Sequence, residues 1–262
     1  MEDLTVSLIQ ADLHWEEIDA NLAMFEELMW SIDQTDLVVL PEMFTTGFSM
    51  NAEHLAEPPG GKTFKWMRQM ATQLKIAVTG SYIVKDKGNY YNRLFFVYPD
   101  GSSQQYDKKH LFNLAAEGET YVPGNERLIL NYKGWNIHPL ICYDLRFPVW
   151  ARSRRSEDQL YEYDLLLYVA NWPDTRINAW DALLKARAIE NLSYGLGVNR
   201  VGIDGVNKNY NGHSAVYTPK GEEMAFSDGK EEILTVTLNA EDLHKYREDF
   251  PFQSDADEFS ID

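Results

Sequence analysis

The sequence predicts one α/β domain built on a mixed sheet, and three observations lead there. Strand-like and helix-like segments alternate along the chain. Asp36 to Leu40 (DLVVL) and Asp164 to Ala170 (DLLLYVA) are continuous apolar runs, as expected of strands covered on both faces. Two hairpin signals interrupt the βα alternation, which a purely parallel sheet would not allow. No linker, low-complexity stretch, fixed-period repeat or change of composition divides the 262 residues. The expected organisation is therefore a single domain over 1–262, with 251–262 as a C-terminal tail.

Each element follows from its own pattern. Leu4 to Gln10 alternates and predicts a strand. Ile18, Leu22, Phe25, Met29 and Ile32 recur at spacings of four, three, four and three, which places them on one face of a helix. Asp36 to Leu40 predicts a buried strand ended by Pro41, with Glu42 just past its C-terminal end. Residues 43–61 hold several Gly and Pro and predict a loop. Phe64, Met67, Ala71 and Leu74 mark a second helix, and Ile76 to Tyr82 a third strand. Tyr90 to Tyr98 and Ser102 to Tyr106 flank the turn Pro99-Asp100-Gly101 as a hairpin. Residues 108–127 read as irregular. Leu128 to Tyr132 and Trp135 to Ile141 flank Lys133-Gly134 as a second hairpin. A helix over Pro148 to Arg155, the strand Asp164 to Ala170 and a helix over Ile177 to Asn191 follow. Tyr194 to Val198, His213 to Tyr217 and Ile233 to Leu238 predict later strands. Asn239 suits the N-cap of a last short helix, because its side-chain oxygen can accept from a free first-turn N–H. The acidic tail 251–262 either reaches over a neighbouring subunit or is solvated.

Composition narrows the function. Hydrophobic residues at 44% and charged residues at 25% fit a globular chain and exclude a disordered or fibrous one. A net charge of −17 repels phosphate backbones and anionic lipid, so neither nucleic acid nor a membrane is an expected partner. The single cysteine excludes an intrachain disulfide. The start MEDLTVSLIQ is acidic and strand-like, unlike a signal peptide, and no apolar run approaches the roughly 20 residues of a membrane helix. A soluble, cytoplasmic protein is expected.

Three polar residues each end a strand-like apolar segment: Glu42 after DLVVLP, Lys108 after the strand ending at Tyr106, and Cys142 after HPLI. Functional side chains in α/β sheets gather at strand ends. Each residue also has a plain structural reading. Glu42 could cap a loop, the Lys108-Lys109 pair could be a solvated face, and a lone Cys is usually a small buried hydrophobe. No single residue carries the argument. The six histidines show no His-x3-His pair of a helical metal site, and His110 and His138 are most simply structural. Gly195-x-Gly197 lies in a strand signal and lacks the third glycine of a phosphate loop. No metal or cofactor is expected.

The pattern as a whole resembles the nitrilase superfamily of carbon–nitrogen hydrolases. The resemblance is carried by LPEMFTTGF around Glu42, YDKKHLFN around Lys108 and PLICYDLRFPVWAR around Cys142, with YVANWP at 168–173 and KARAIENLSYGLGVNRVG at 185–202. Within the superfamily, LPEMFTTGF, DKKHLF and CYDLRFPVW look most like the omega-amidase branch, which acts on 2-oxoglutaramate. The resemblance implies a four-layer α-β-β-α sandwich with mixed sheets, a Glu42-Lys108-Cys142 site, and a homodimer or larger homo-oligomer packing sandwich against sandwich. Lys108, not Lys109, fits the family's Lys-x-His-Leu-Phe motif, and Glu117 matches a second glutamate often found near the lysine.

These residue types suit amide hydrolysis. A thiol is a good nucleophile, and attack by Cys142 would split the reaction into acylation and hydrolysis of a thioester. A neighbouring ammonium lowers a thiol's pKa, a service expected of Lys108. Lys108 and the backbone N–H of Tyr143 could donate to the oxyanion, and Glu42 could take the thiol proton and pass it to departing ammonia. A substrate carboxylate would need a cation, for which Arg146 and Arg176 are candidates, while Phe44, Phe48, Tyr143 and Trp172 are candidate pocket walls. Alternatives remain at this point: an N-carbamoyl amide hydrolase or a nitrilase on the same three residues, a Cys-His hydrolase using His110 or His138, or a non-catalytic scaffold.

Overall fold

A computed structural model describes residues 1–155 and 159–261. Two sheets face each other. The first has 6 strands in the order β13-β1-β2-β3-β4-β5, and the second has 7, with β12 added beside β11 in β10-β11-β9-β8-β7-β6. The first holds β1 (Leu4–Gln10), β2 (Leu37–Val39), β3 (Ala77–Asp86), β4 (Asn89–Val97) and β5 (Ser103–Asp107). The second holds β6 (Leu130–Tyr132), β7 (Trp135–Ile141), β8 (Leu165–Val169), β9 (Tyr194–Val198), β10 (Val201–Ile203), β11 (Asn209–Tyr217) and β12 (Glu223–Asp228). The chain then returns, and β13 (Glu232–Leu238) pairs antiparallel with β1, so the two ends of the sequence close the first sheet.

Both sheets are mixed. β1, β2 and β3 run parallel, as do β7, β8 and β9, while the hairpins add antiparallel edges. Val6, Leu8, Val39, Leu94 and Phe96 of the first sheet share one buried cluster with Ile137, Leu140, Leu165 and Leu167 of the second. The outer face of the first sheet packs Val38, Val78 and Phe95 against Phe25 and Met29 of the helix Ile18–Trp30 and Met67 and Met70 of the helix Lys62–Leu74. The helix Ile177–Asn191 lies on the outside of the second sheet through Trp180, Leu184 and Ala188. The architecture is an α-β-β-α sandwich, as expected.

The alternating and apolar segments form the elements predicted for them, with boundaries shifted by a few residues. The helix predicted over Pro148–Arg155 stops at Ala151, because Arg152 turns extended (ψ 129°). Three strand features carried too weak a pattern. Lys87 and Gly88, both at positive φ (49° and 86°), make a tight turn between β3 and β4. The short β10 and the half-exposed β12 lack an apolar alternation. Asn239 caps the last helix, accepting from the Asp242 N–H at 2.8 Å. The tail, of which Asp262 lies outside the described residues, folds on its own chain: Gln253 Nε2 donates to the Ser153 carbonyl at 2.9 Å, and Arg155 to that of Ser254 at 2.8 Å. Among the described residues, no helix is long and apolar enough to cross a membrane.

The contact between β9 and its covering helix is close enough to require glycine. A Cβ at Gly197 would lie 2.6 Å from Trp180 Cζ2 and 2.7 Å from Leu184 Cδ2, both buried. Gly197→Ala is therefore expected to lower unfolding stability by about 1–3 kcal/mol through overpacking, read from urea denaturation at unchanged slope.

Candidate active site

The site sits where parallel strands of both sheets end. β2 ends at Val39, and the chain beyond it stays tied to β3: Leu40 N donates to the Thr79 carbonyl at 2.8 Å and Phe44 N to that of Ser81 at 3.0 Å. This fixes Glu42 between them, fully buried. Cys142 follows β7 with φ at 43°, a left-handed conformation costly for a non-glycine residue, and opens a short 3₁₀ turn, Cys142–Arg146. Such strain at a strand end turns the side chain out of the sheet. Asp144, buried in that turn, holds it. Its carboxylate accepts from Ile141 N (3.1 Å), His110 N (3.0 Å) and Tyr106 OH (2.8 Å), which ties the turn to the segment carrying Lys108.

Lys108 is fixed at its backbone from two sides. Its N–H donates to the Asn92 carbonyl at 3.0 Å and its carbonyl accepts from Gly124 N at 2.9 Å. A side chain at 124 would collide with the Asp107 carbonyl, so only glycine allows this approach. Beside it, Arg93 grips Asp107 with two bonds of 2.6 and 2.9 Å and so pins the β4–β5 register.

The side chains converge. Lys108 Nζ is 2.8 Å from Glu42 Oε1 and 2.9 Å from each carboxylate oxygen of Glu117, and all three residues are buried. Glu42 also accepts from Asn92 Nδ2 at 2.8 Å and from the Asn171 N–H at 2.9 Å. Cys142 Sγ lies 3.9 Å from the Asn171 carbonyl and lines the same cavity as Lys108. Glu42, Lys108, Glu117 and Cys142, separated by 66, 9 and 25 positions in chain order, are brought together at the facing strand ends.

The electrostatics of this cluster differ from expectation. Burial opposes the charge on Lys108, but Glu117, Glu42 and Cys142 outweigh it and raise the ammonium's pKa. Burial first, and then the neighbouring Glu42, push the Cys142 thiol well above its usual value, with Lys108 pulling the other way without winning. The ammonium does not make a resting thiolate, because two carboxylates already neutralise it. Burial and the negative charge of Glu42 likewise raise Glu117, against the pull of Lys108.

The cavity, of about 440 Å³, is walled by Phe48, Phe112, Tyr143, Trp172 and Tyr210. Arg146, Arg176 and Lys208 join Lys108 on its surface, and none of the described residues on the wall is acidic. Arg146 stacks over Trp172 and Arg176 over Phe112, each with the guanidinium carbon 4.9 Å from the ring centre. Trp172 Nε1 donates to the Arg176 carbonyl at 2.9 Å, which fixes both segments. Phe44 is not on this wall. It packs into the core between the first sheet and its helices, 5.6 Å from the Phe25 ring and against Gly80, because the chain turns over residues 42–44, with Met43 at a positive φ of 42°.

Asn92, Asn171, Phe112, Lys208 and Tyr210 were not singled out from sequence. Asn171 lies within YVANWP, so its segment was visible although its role was not. Asn92 shows only as a polar residue at an inward position of a strand. His110 bonds Asp144 through Nδ1 at 2.8 Å and stacks on Phe147 at 3.8 Å. His138 is buried, with Nδ1 2.8 Å from the Leu128 carbonyl, and burial and Arg127 drive its pKa down to about 3. Neither histidine borders the thiol's cavity, which removes the support for a Cys-His pair. Among the described residues, no group of three or more His, Cys, Asp or Glu could hold a metal ion.

A four-layer sandwich with an acid–ammonium–acid cluster beside a thiol defines the class of the nitrilase-like hydrolases, and the comparisons agree. The sequence matches the carbon-nitrogen hydrolase family over residues 5–248. It is 44% identical over 264 residues to the omega-amidase YafV of Escherichia coli strain K12, covering 100% of both chains. It is 30% identical to the 2-oxoglutaramate amidase of Bacillus subtilis strain 168, over 96% of each. The crystal structure of XC1258 from Xanthomonas campestris, a CN-hydrolase superfamily protein with an arsenic adduct in its active site, superposes with a TM-score of 0.97 at 42% identity, covering 100% of both chains. The chain belongs to the carbon-nitrogen hydrolase family and is an enzyme.

The charge arrangement gives a signed expectation. Glu42 raises the thiol's pKa, so Glu42→Gln removes a negative neighbour and leaves Lys108 in place. In that variant the ultraviolet absorbance of the thiolate, taken as the difference from the matching Cys142→Ala protein so that tyrosinate absorbance cancels, should appear at lower pH than in the native protein. A midpoint that stays or rises contradicts the assignment.

Proposed function

We propose that the chain hydrolyses the terminal amide of a small dicarboxylic monoamide such as 2-oxoglutaramate, releasing ammonia through a thioester on Cys142. The observation that carries this reading is the junction of the Cys142 thiol with the Glu42–Lys108–Glu117 cluster in one cavity whose remaining charged groups are all cationic. The omega-amidase of Escherichia coli and the 2-oxoglutaramate amidase of Bacillus subtilis, as relatives, support the substrate class.

The thiol rests protonated, so the nucleophile forms as it reacts. Glu42 takes the proton while Sγ attacks the amide carbon. The oxygen that becomes negative accepts from Lys108 Nζ and from the Tyr143 N–H at the start of the 3₁₀ turn, where a backbone donor has no partner within the turn. Each such donor is worth roughly 3–4 kcal/mol in the transition state. As the C–N bond breaks, Glu42 returns the proton to the nitrogen and ammonia departs. Water then attacks the thioester with Glu42 again as base, and the acid leaves with Cys142 restored as the thiol. Glu117 holds Lys108 by two bonds and keeps it charged through the cycle. Arg146 and Arg176, anchored on aromatic faces, receive the distal carboxylate, and Trp172 gives the chain of the substrate an apolar wall.

The same reading includes association into a homodimer or larger homo-oligomer, sandwich against sandwich. Val149 and Ile189, apolar side chains 57% and 44% exposed, support it. Sedimentation velocity should show at least a dimer, and a monomer at micromolar concentration contradicts it.

A small substrate panel tests the chemistry. The native enzyme should release ammonia from 2-oxoglutaramate and succinamate much faster than from uncharged propionamide. Cys142→Ala should abolish this with an unchanged circular dichroism spectrum. Arg146→Ala should raise KM for the anionic amides by about 10-fold or more, since a charge-assisted hydrogen bond is lost. Carbon dioxide released with the ammonia would indicate an N-carbamoyl substrate, and turnover of nitriles alone would exclude an amidase.

A further inference from the structure

We propose that Asn92 is a positioning residue that holds the Glu42 carboxylate ready to accept the thiol proton, a role that rests on the reading of Glu42 as the base. Asn92 lies on β4 and is 1% exposed. Its Nδ2 is 2.8 Å from Glu42 Oε1 and 3.5 Å from Glu117 Oε1, and its own carbonyl accepts the Lys108 N–H at 3.0 Å. One residue thus touches all three members of the buried cluster.

The orientation of the amide is fixed by its surroundings. Asn92 Oδ1 finds no hydrogen-bond partner among the described residues. Turning the group over would press that oxygen against two carboxylates and leave the amino group unpaired instead. A buried carbonyl without a partner is costly, and such groups in native structures call for an explanation. Here the explanation is the donation made by the other end.

The residue type matters as much as its place. With both carboxylates ionised, Glu42, Lys108 and Glu117 carry one net negative charge at a buried site. A cation at position 92 would neutralise it and leave Glu42 too weak a base. An acid would add a third carboxylate. An apolar side chain would leave Glu42 with one donor fewer and a looser rotamer. A neutral donor holds the carboxylate in place and adds no charge. The one cation nearby, Arg93, points to the opposite face of the strand, where Asp107 and Asp86 hold it at 2.6 and 3.1 Å.

The sign of the effect follows. A hydrogen bond given to a carboxylate favours its charged form, so losing the donor makes the carboxyl group easier to protonate. The base must be unprotonated to accept the thiol proton, so the acid limb of the reaction moves to higher pH. Alkylation of Cys142 by iodoacetamide reads this without an amide substrate, because the chain has 1 cysteine and intact mass counts the adduct.

In Asn92→Leu, which keeps the branching at Cγ and removes the donor, the acid limb of the alkylation rate should rise by about one pH unit. Asn92→Asp should move it further. For amide hydrolysis on the acid side of the limb, kcat should fall about tenfold with KM within about twofold, by the same loss. If Asn92→Leu does not fold, Asn92→Ser is read for the same displacement. Limbs that superimpose on the native profile, or a loss carried wholly by KM, overturn the proposal. A displaced limb in a protein that hydrolyses no amide supports the role of Asn92 and overturns the proposed reaction instead.

Discussion

One lysine held between two glutamates, out of contact with bulk water, dictates the design of everything around it. Each ion taken from water costs several kcal/mol even after relaxation, and attraction offsets that only when geometry is close and the remaining lone pairs are satisfied. Lys108 gains three bonds of 2.8–2.9 Å, and Glu42 two further donors. The donors come from β4 and from the end of β8, so neither sheet alone can stabilise the cluster. This is why the scaffold is rigid here: Gly124 against the Lys108 backbone, Arg93 clamping Asp107, and Asp144 joining the cysteine turn to Tyr106 and His110. Removing one charge from such a cluster leaves its partner buried and uncompensated.

That constraint also decides how the nucleophile is prepared. An isolated ammonium beside a thiol would favour thiolate at rest. Lys108 cannot act so, because its charge is balanced by Glu42 and Glu117, and the thiol faces a site that is negative overall. A protonated thiol next to a carboxylate is instead ready for transfer at the moment of attack. In the proposed reaction the negative charge then moves from Glu42 towards the substrate oxygen, nearer the donors, and the cavity never needs to hold an extra anion. The left-handed backbone at Cys142 belongs to the same arrangement, since it sets the sulfur at the mouth of the site while the strand behind it stays in the sheet.

What the sequence revealed and what it hid divide along physical lines. Period-two and period-3.6 patterns report burial, so the strands and helices of the core were legible from them. Residues at strand ends break those patterns, which exposed Glu42, Lys108 and Cys142, and the resemblance of their flanking motifs joined them. Phe44 misled because proximity in sequence to Glu42 suggested proximity in space, whereas the turn at 42–44, with Met43 at positive φ, sends the ring into the core under the helices. Asn92 was hidden because an inward polar residue in a strand looks the same whether it meets a carboxylate or a backbone group. The pKa of the thiol was hidden for a deeper reason. It depends on which of three charged neighbours the ammonium already serves, a property of distances and not of residue types.

The charge of the whole chain and that of its cavity are opposite, and the difference in scale between them reconciles the two. With 24 cationic and 41 acidic residues, the surface should repel an anionic substrate. Exposed charges are screened within about 8 Å at physiological salt, so the surface excess fades a short way into solution. Inside the cavity the screening is weaker, and Lys108, Arg146, Arg176 and Lys208 face inward with no acid on the described wall. The rings under Arg146 and Arg176 restrict both guanidinium groups before any ligand arrives, which lowers the ordering cost of binding a carboxylate. An acidic exterior thus discourages polyanions, whose many charges feel the surface, while a small anion that reaches the cavity experiences mainly the few cations that line it.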